Sequence, residues 1–191
     1  MGSELIIGIG GPAGSGTSTA AQLLAKAFGV EYWSGGNSVR SFLSRHDLEE
    51  GQIARLHELC PTLDREIERR NRAFALRCFQ ESVGGVLECR LVTEALWNIP
   101  FTVSILLLAS PSVRHKRIHQ RCLEKGDAKT LDEIVEETTR RDAADRERYW
   151  RKYGIDDYLA LNRYEHTIDT EHHATPADCV REIKRRLRLA A

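Results

Sequence analysis

Apolar residues in this chain come in short unbroken runs separated by longer amphipathic stretches. Leu5-Ile6-Ile7-Gly8-Ile9 is the first run, and Phe101-Thr102-Val103-Ser104-Ile105-Leu106-Leu107-Leu108 is the clearest. A run of this length that is apolar at successive positions predicts a strand buried on both faces, as in a parallel sheet. Residues 30–33, 83–88 and 166–169 predict three more strands. The stretches between them carry helical spacing and good helix formers, over 18–28, 38–45, 47–59, 62–82, 111–123, 130–152 and 176–188. In the first of these, Leu23, Leu24, Ala27 and Phe28 fall on one stripe, and Gly29 supplies the stop.

Strands that alternate with helices predict an α/β fold: a five-stranded parallel sheet covered by helices on both faces. The 191 residues suffice for one domain with a full core. More helix lies between the second and third strands than one crossover needs, which predicts an inserted helical subdomain over about 36–82. The polar segment Glu124-Lys125-Gly126-Asp127-Ala128-Lys129 separates two helices and is expected to hinge a mobile lid over about 122–152.

The chemistry enters at Gly11-Pro12-Ala13-Gly14-Ser15-Gly16-Thr17-Ser18. It fits the phosphate-binding loop G-x-x-x-x-G-K-[ST] at every fixed position except the lysine, which is Thr17. Its context is the required one, a buried strand before it and a helix after it. A helix start aims backbone N–H groups and the positive end of the helix dipole at one point, which is where phosphate binds. Residues Gly11, Pro12, Ala13, Gly14, Ser15, Gly16, Thr17, Ser18 and Thr19 are therefore the candidate ATP-binding segment of a P-loop NTPase fold. Ser18 is the candidate Mg²⁺ ligand through its hydroxyl.

Composition narrows the partners. Lys plus Arg and Asp plus Glu each number 28, so the formal net charge is zero and no bulk attraction to nucleic acid or an anionic membrane is implied. The basic residues are mostly arginine, which suits bidentate contacts to individual phosphates. The basic residues of the last helix, Arg181, Lys184, Arg185, Arg186 and Arg188, read as the solvated face opposite Val180, Ile183 and Leu187. Five scattered cysteines without a C-x-x-C pair predict buried reduced thiols rather than disulfides or zinc. No apolar stretch approaches transmembrane length and no signal peptide is evident, so a cytoplasmic monomer is the expectation.

Arginines gather where strands should end. Arg40 follows Trp33-Ser34-Gly35-Gly36, Arg90 closes Leu87-Glu88-Cys89-Arg90, Arg117 and Arg121 follow the fourth strand, and Arg140, Arg141, Arg146 and Arg148 sit beyond the hinge. In open α/β sheets ligands bind outside the carboxyl ends of the strands. Here the chain resembles the nucleoside monophosphate kinases, and within them the archaeal-type cytidylate kinases, from Leu5 to about Thr170. Tyr32-Trp33-Ser34-Gly35-Gly36-Asn37-Ser38-Val39-Arg40 is similar to a Y-x-S-x-G-D-x-x-R segment, and Asp64-Arg65-Glu66-Ile67-Glu68-Arg69-Arg70 to a D-R-E-I-D-R-R helix. Leu87-Glu88-Cys89-Arg90-Leu91 resembles L-E-G-R-L. Arg141-Asp142 with Asp145-Arg146 and Arg148 resembles the lid motif R-D-x-x-D-R-x-R, and Tyr153-Gly154-Ile155-Asp156 matches Y-G-I-D.

The resemblance implies ATP-dependent phosphorylation of CMP or dCMP. It implies that Ser34, Arg40, Arg65, Arg90 and Asp142 bind the acceptor, that Arg121, Arg141 and Arg146 act on the transferring group, and that Glu88 holds the metal through water. Gly16-Thr17-Ser18-Thr19 resembles a variant loop of the archaeal-type group, and the charge of the lost lysine is expected from Arg121 or Arg146. Cys89 in place of glycine, Asn37 in place of aspartate, and Glu94-Ala95-Leu96-Trp97 depart from the family pattern and bear on the identity of the base. Two alternatives stay open: a P-loop kinase for UMP, AMP or dephospho-coenzyme A, and a nucleotide-binding regulatory protein impaired in catalysis through Thr17.

Overall fold

Ile6–Gly10 forms strand β1 and is buried at every position, because sheet neighbours flank it on both edges and helices cover both faces. The computed structural model describes residues 4–45, 60 and 62–188. Thr17–Phe28 is helix α1, Glu31–Ser34 is β2 and Gly35–Arg45 is α2. Leu63–Gln80 is α3, Gly85–Glu88 is β3, Val92–Ala95 is α4 and Thr102–Leu108 is β4. Pro111–Glu124 is α5, Leu131–Tyr153 is α6, His166–Asp169 is β5 and Pro176–Arg186 is α7, with a 3₁₀ turn at Leu161–Arg163. The sheet order is β2-β3-β1-β4-β5 and every pairing is parallel.

The five strands and their parallel arrangement match the sequence expectation, with ends shifted by one or two residues. The helix expected over 47–59 lies outside the described residues. The short α4 and the 3₁₀ turn had no counterpart in the sequence reading.

Period-two alternation splits the core into two layers. Ile7, Ile9, Val86, Val103, Ile105, Leu107 and Ile168 face α1 and α7, where Ala21, Leu24 and Ile183 meet them. Ile6, Leu87 and Leu106 face α3 and α4, against Phe74, Ala75, Cys78, Val92 and Leu96. Gly8 and Gly10 share the face of Ile6. A Cβ at Gly8 would lie 2.6 Å from both Leu96 Cδ1 and Val92 Cγ1, so β1 is free of side chains where α4 and Tyr164 press closest. A third, smaller cluster of Leu91, Tyr149, Ile155 and Tyr158 anchors the end of α6 to the body.

Both ends of α6 are specified locally. A reciprocal capping box between Thr130 and Glu133 opens it, and Gly154 in the left-handed region closes it. The basic side of α7 is solvated and internally paired, Arg181 with Asp178, and Arg185 and Arg186 with Glu182. No helix among the described residues is long and apolar enough to cross a membrane.

The packing at Gly8 gives a direct test. Gly8→Ala is expected to cost about 1–3 kcal/mol of unfolding free energy through overpacking. In a Leu96→Ala background the added methyl has room, and a double-mutant cycle from urea unfolding should show coupling of at least about 0.5 kcal/mol.

Candidate functional site: a phosphate loop opening into an arginine-lined cleft

The loop between β1 and α1 is held in shape before any ligand arrives. Ser15 Oγ donates to the Pro12 carbonyl at 2.8 Å and the Ser15 N–H to the same oxygen at 3.2 Å. Gly14 (φ 83°) and Gly16 (φ 94°) sit in the left-handed region, and a Cβ at Gly14 would lie 2.7 Å from the Arg114 carbonyl. Helix α1 starts with no side-chain cap and no acidic residue in its first turn. Its first N–H groups are thus left for an anion.

Strand register explains the next layer. Glu88 pairs in register with Ser34 on one side and Ile9 on the other, and it shares the face of Val86, which turns toward α1. Its carboxylate therefore meets the start of α1 and the inward face of β2. Oε1 accepts from Thr17 Oγ1 at 3.2 Å and Ser18 Oγ at 3.1 Å. Oε2 accepts from Ser34 Oγ at 2.6 Å and the Tyr32 hydroxyl at 3.3 Å. Burial and then the Glu88 charge push the Tyr32 phenol up, so Tyr32 stays a donor. Ser34 Oγ also accepts from the Asn37 N–H at 3.1 Å, which caps α2 and ties that helix to the same carboxylate.

The loop, α2, α3, the end of β3 and α6 open into one cleft of about 730 Å³. Gly11, Ala13, Gly14, Ser15, Gly16, Thr17, Ser18 and Thr19 line its floor. Arg40, Arg90, Arg117, Arg121, Arg140 and Arg141 line its walls. Arg90 donates to the Gly11 carbonyl and pairs with Asp145 at 3.3 Å. Asp145 also holds Arg148 at 2.6 Å, and Arg148 lies 3.3 Å from Asp64, which bonds Lys152. Burial works most strongly against the Arg90 charge, but the Asp145 carboxylate together with Tyr158, Tyr149 and Glu88 outweighs it, and the guanidinium ends above the ordinary arginine value. The same balance, with Tyr149 and Asp145 against burial, holds for Arg148.

Several expectations need correcting in placement. Arg65 does not line the cleft. Asp64, Ile67, Glu68 and Asn71 form the inward face of α3, and Arg65 falls off that stripe into a shallow depression with Cys60, Leu63 and Arg69. Arg146 is likewise exposed and absent from the lining. The inward stripe of α6 runs through Glu137, Arg141, Ala144, Asp145 and Arg148, and Arg146 lies about 100° round from Asp145. Asp142, expected beside Arg146 or the substrate, instead holds Arg114 at 2.8 Å. Ser34 is buried and bonded to Glu88 rather than lining the cleft.

Arg114 escaped the sequence reading. It is only 7% exposed and donates to the Ala13 carbonyl at 2.9 Å, which joins the loop to α6 through Asp142. Its only sequence signal was its place one turn before Arg117. Arg117 itself is bonded to the Thr170 side chain and carbonyl at 2.8 and 2.9 Å. Thr170 in turn donates to the Ser15 carbonyl. Arg117 thus braces the loop from the β5 side.

The residues fit a divalent cation of the hard, oxygen-binding kind. A carboxylate and a hydroxyl stand 3.1 Å apart at the loop, and among the described residues no group of three His, Cys, Asp or Glu offers a self-sufficient metal cage. That is the donor set of a site that leaves most ligand positions to water and phosphate.

The parallel sheet, the loop at the end of β1 and the arginine-lined cleft define a P-loop kinase. A protein-family profile described as an AAA domain matches residues 7–141. The chain is 33% identical over 166 residues to the cytidylate kinase of Methanothrix thermoacetophila, covering 87% of this chain and 88% of that one. It is 35% identical over 166 residues to the cytidylate kinase of Aeropyrum pernix, covering 87% and 90%. Among solved structures, shikimate kinase from Acinetobacter baumannii in complex with shikimate superposes with a TM-score of 0.58 at 14% identity, over 98% of this chain and 94% of that one, a likeness of fold. The chain belongs to the cytidylate kinase family and is a nucleoside monophosphate kinase.

Asp145 is the joint between the end of β3 and α6. Asp145→Ala leaves Arg90 without its carboxylate partner and Arg148 with Asp64 alone, and is expected to cost about 3 kcal/mol of stability, read from the urea midpoint at neutral pH. Asp145→Asn, which keeps a hydrogen-bond acceptor, should cost less.

Proposed function

We propose that the protein transfers the γ-phosphoryl group of ATP to CMP or dCMP, giving ADP and the nucleoside diphosphate. One observation carries the reading: the phosphate loop, the arginine after β3 and the arginines of α2, α5 and α6 open into a single cleft. Support for the base class comes from the relatives named cytidylate kinase. Helices α2 and α3, within the insertion over about 36–82, serve the acceptor, and the region over about 122–152 serves as the lid.

Little covalent chemistry is asked of the residues. An α-phosphate oxygen of the acceptor attacks the γ-phosphorus in line, and the bond to the ADP oxygen breaks. The loop amides from Ala13 to Thr19 hold the β-phosphate. Arg40 and Arg90 hold the acceptor phosphate. Arg121 and Arg141 face the cleft from α5 and α6 and neutralise the migrating group. Ser18 and Glu88 would hold Mg²⁺, the latter through water. When bound, the ion neutralises charge on the β- and γ-phosphates. Thr17 carries no charge, so the cleft arginines supply what a loop lysine supplies elsewhere. Water must be excluded while the phosphoryl group is in flight, and closure of α6 over the loop does that.

A coupled assay of ADP release with CMP, UMP and AMP in turn is expected to give turnover with CMP. ADP release that does not depend on any acceptor contradicts the reading, and nucleotide binding without turnover favours a regulatory protein. Arg121→Ala is expected to lower kcat by roughly 100-fold with a smaller change in KM. Thr17→Lys should restore part of that loss. Near-normal kcat in Arg121→Ala and in Arg141→Ala would exclude the cleft arginines as the source of charge.

A further inference from the structure

Four residues of α3 face the cleft, and two of them are already committed. Asp64, 3% exposed, is paired with Lys152 and Arg148. Asn71 is oriented by Trp33, whose Nε1–H donates to its Oδ1 at 3.0 Å. That contact turns Nδ2 onto Glu68 Oε2 at 3.2 Å. The amide lies against the bare face of Gly35, where a Cβ would come within 2.9 Å of Asn71 Oδ1 and 3.1 Å of Nδ2 and displace it. Trp33 is itself stacked on Phe74 with centroids 5.9 Å apart.

The chain from Phe74 through Trp33 and Asn71 thus ends on one oxygen of Glu68. The other, Oε1, accepts no hydrogen bond among the described residues, although Glu68 lines the cleft. Ile67, Val39 and Cys89 line the same cleft and offer apolar surface to a flat ring. A carboxylate with one oxygen fixed and one open, facing such a cleft, can receive an N–H donor on a ring.

We infer that Glu68 reads the acceptor base by accepting a hydrogen bond from its exocyclic amino group, and so selects an aminopyrimidine over uracil. The inference rests on the pyrimidine monophosphate reading above. Uracil carries a carbonyl oxygen where cytosine carries the amine. Set against Glu68, that oxygen leaves two acceptors facing each other with no proton between them, the arrangement that polar sites reject most strongly. Two of the three family departures bear on the same place: Cys89 lines the cleft, and Glu94 is one of the charges that act on Glu68.

Those charges give the inference a pH signature. Burial, opposed by the Asn71 hydrogen bond and reinforced by the Asp64 and Glu94 carboxylates against the Arg148 cation, pushes the Glu68 carboxyl up to about 7. Cys89 and Tyr153 also face it and stay neutral, with burial raising both thiol and phenol. Above that pH the carboxylate accepts from an amine. Below it, the proton on one oxygen lets Glu68 donate to a carbonyl, and discrimination falls.

The test is kcat/KM for CMP and UMP with wild type, Glu68→Gln and Glu68→Ala, each checked for folding by its thermal melt. For CMP, kcat/KM should fall roughly 10- to 100-fold in both variants, mainly through KM, while the value for UMP holds or rises. The wild-type CMP-to-UMP ratio should fall from pH 8 to pH 6, and that of Glu68→Gln should stay flat. Variants that keep the wild-type ratio within about threefold overturn the inference. A wild type that uses CMP and UMP equally overturns it while leaving the kinase reading intact. One that uses neither overturns both.

Discussion

The site depends on one carboxylate at the carboxyl end of β3. Glu88 accepts from four hydroxyls, two on the first turn of α1 and two on β2. A hydrogen bond to a charged group contributes about 1.5–3 kcal/mol, more than a neutral one, so this cluster fixes the start of α1 relative to β2 and the start of α2. The register of a parallel sheet makes it possible. Ser34, Glu88 and Ile9 lie side by side across the sheet, and alternation turns Glu88 toward the loop rather than toward α3. Thr17 belongs to the cluster. Where a lysine would reach over the loop with its charge, this side chain reaches sideways to Glu88.

The lost charge is then a matter of the surroundings. The chain has no net charge, yet its cleft is lined by arginines; Asp145 and Asp64 hold Arg90 and Arg148 there, and Asp142 holds the buried Arg114 against the loop. Buried ion pairs of this kind contribute little to net stability, since each charge gives up water to enter. What they do is hold cations at fixed places in a site that receives phosphates. Arg90 and Arg114 also donate to loop carbonyls, so the loop, β3, α5 and α6 share one electrostatic frame.

Much of this was legible in the sequence because it rests on local signals. Unbroken apolar runs gave away parallel strands, glycines marked the loop, and Gly29 marked the end of α1. The phase of a helix against its neighbours is not local. Arg146 and Arg148 are equally plausible from spacing, and only packing through Tyr149 and Leu91 decides that Arg148 turns inward. Arg65 and Glu68 differ in the same way on α3. Helix α4, four residues long, is too short to show a period, although it is what presses on Gly8. The bond from Trp33 to Asn71 spans 38 positions and has no signature in either segment.

The proposed function asks no charge of position 17: on that reading the loop amides, the Glu88 cluster and the cleft arginines each carry part of the task. That claim concerns where the phosphoryl group goes, so the most direct measurement follows the phosphorus itself. In a ³¹P NMR time course of MgATP with CMP and the purified protein, the account predicts loss of the ATP γ-resonance with matched growth of the α and β resonances of CDP alongside ADP. Growth of inorganic phosphate with CMP unchanged, or no change at all, would contradict it.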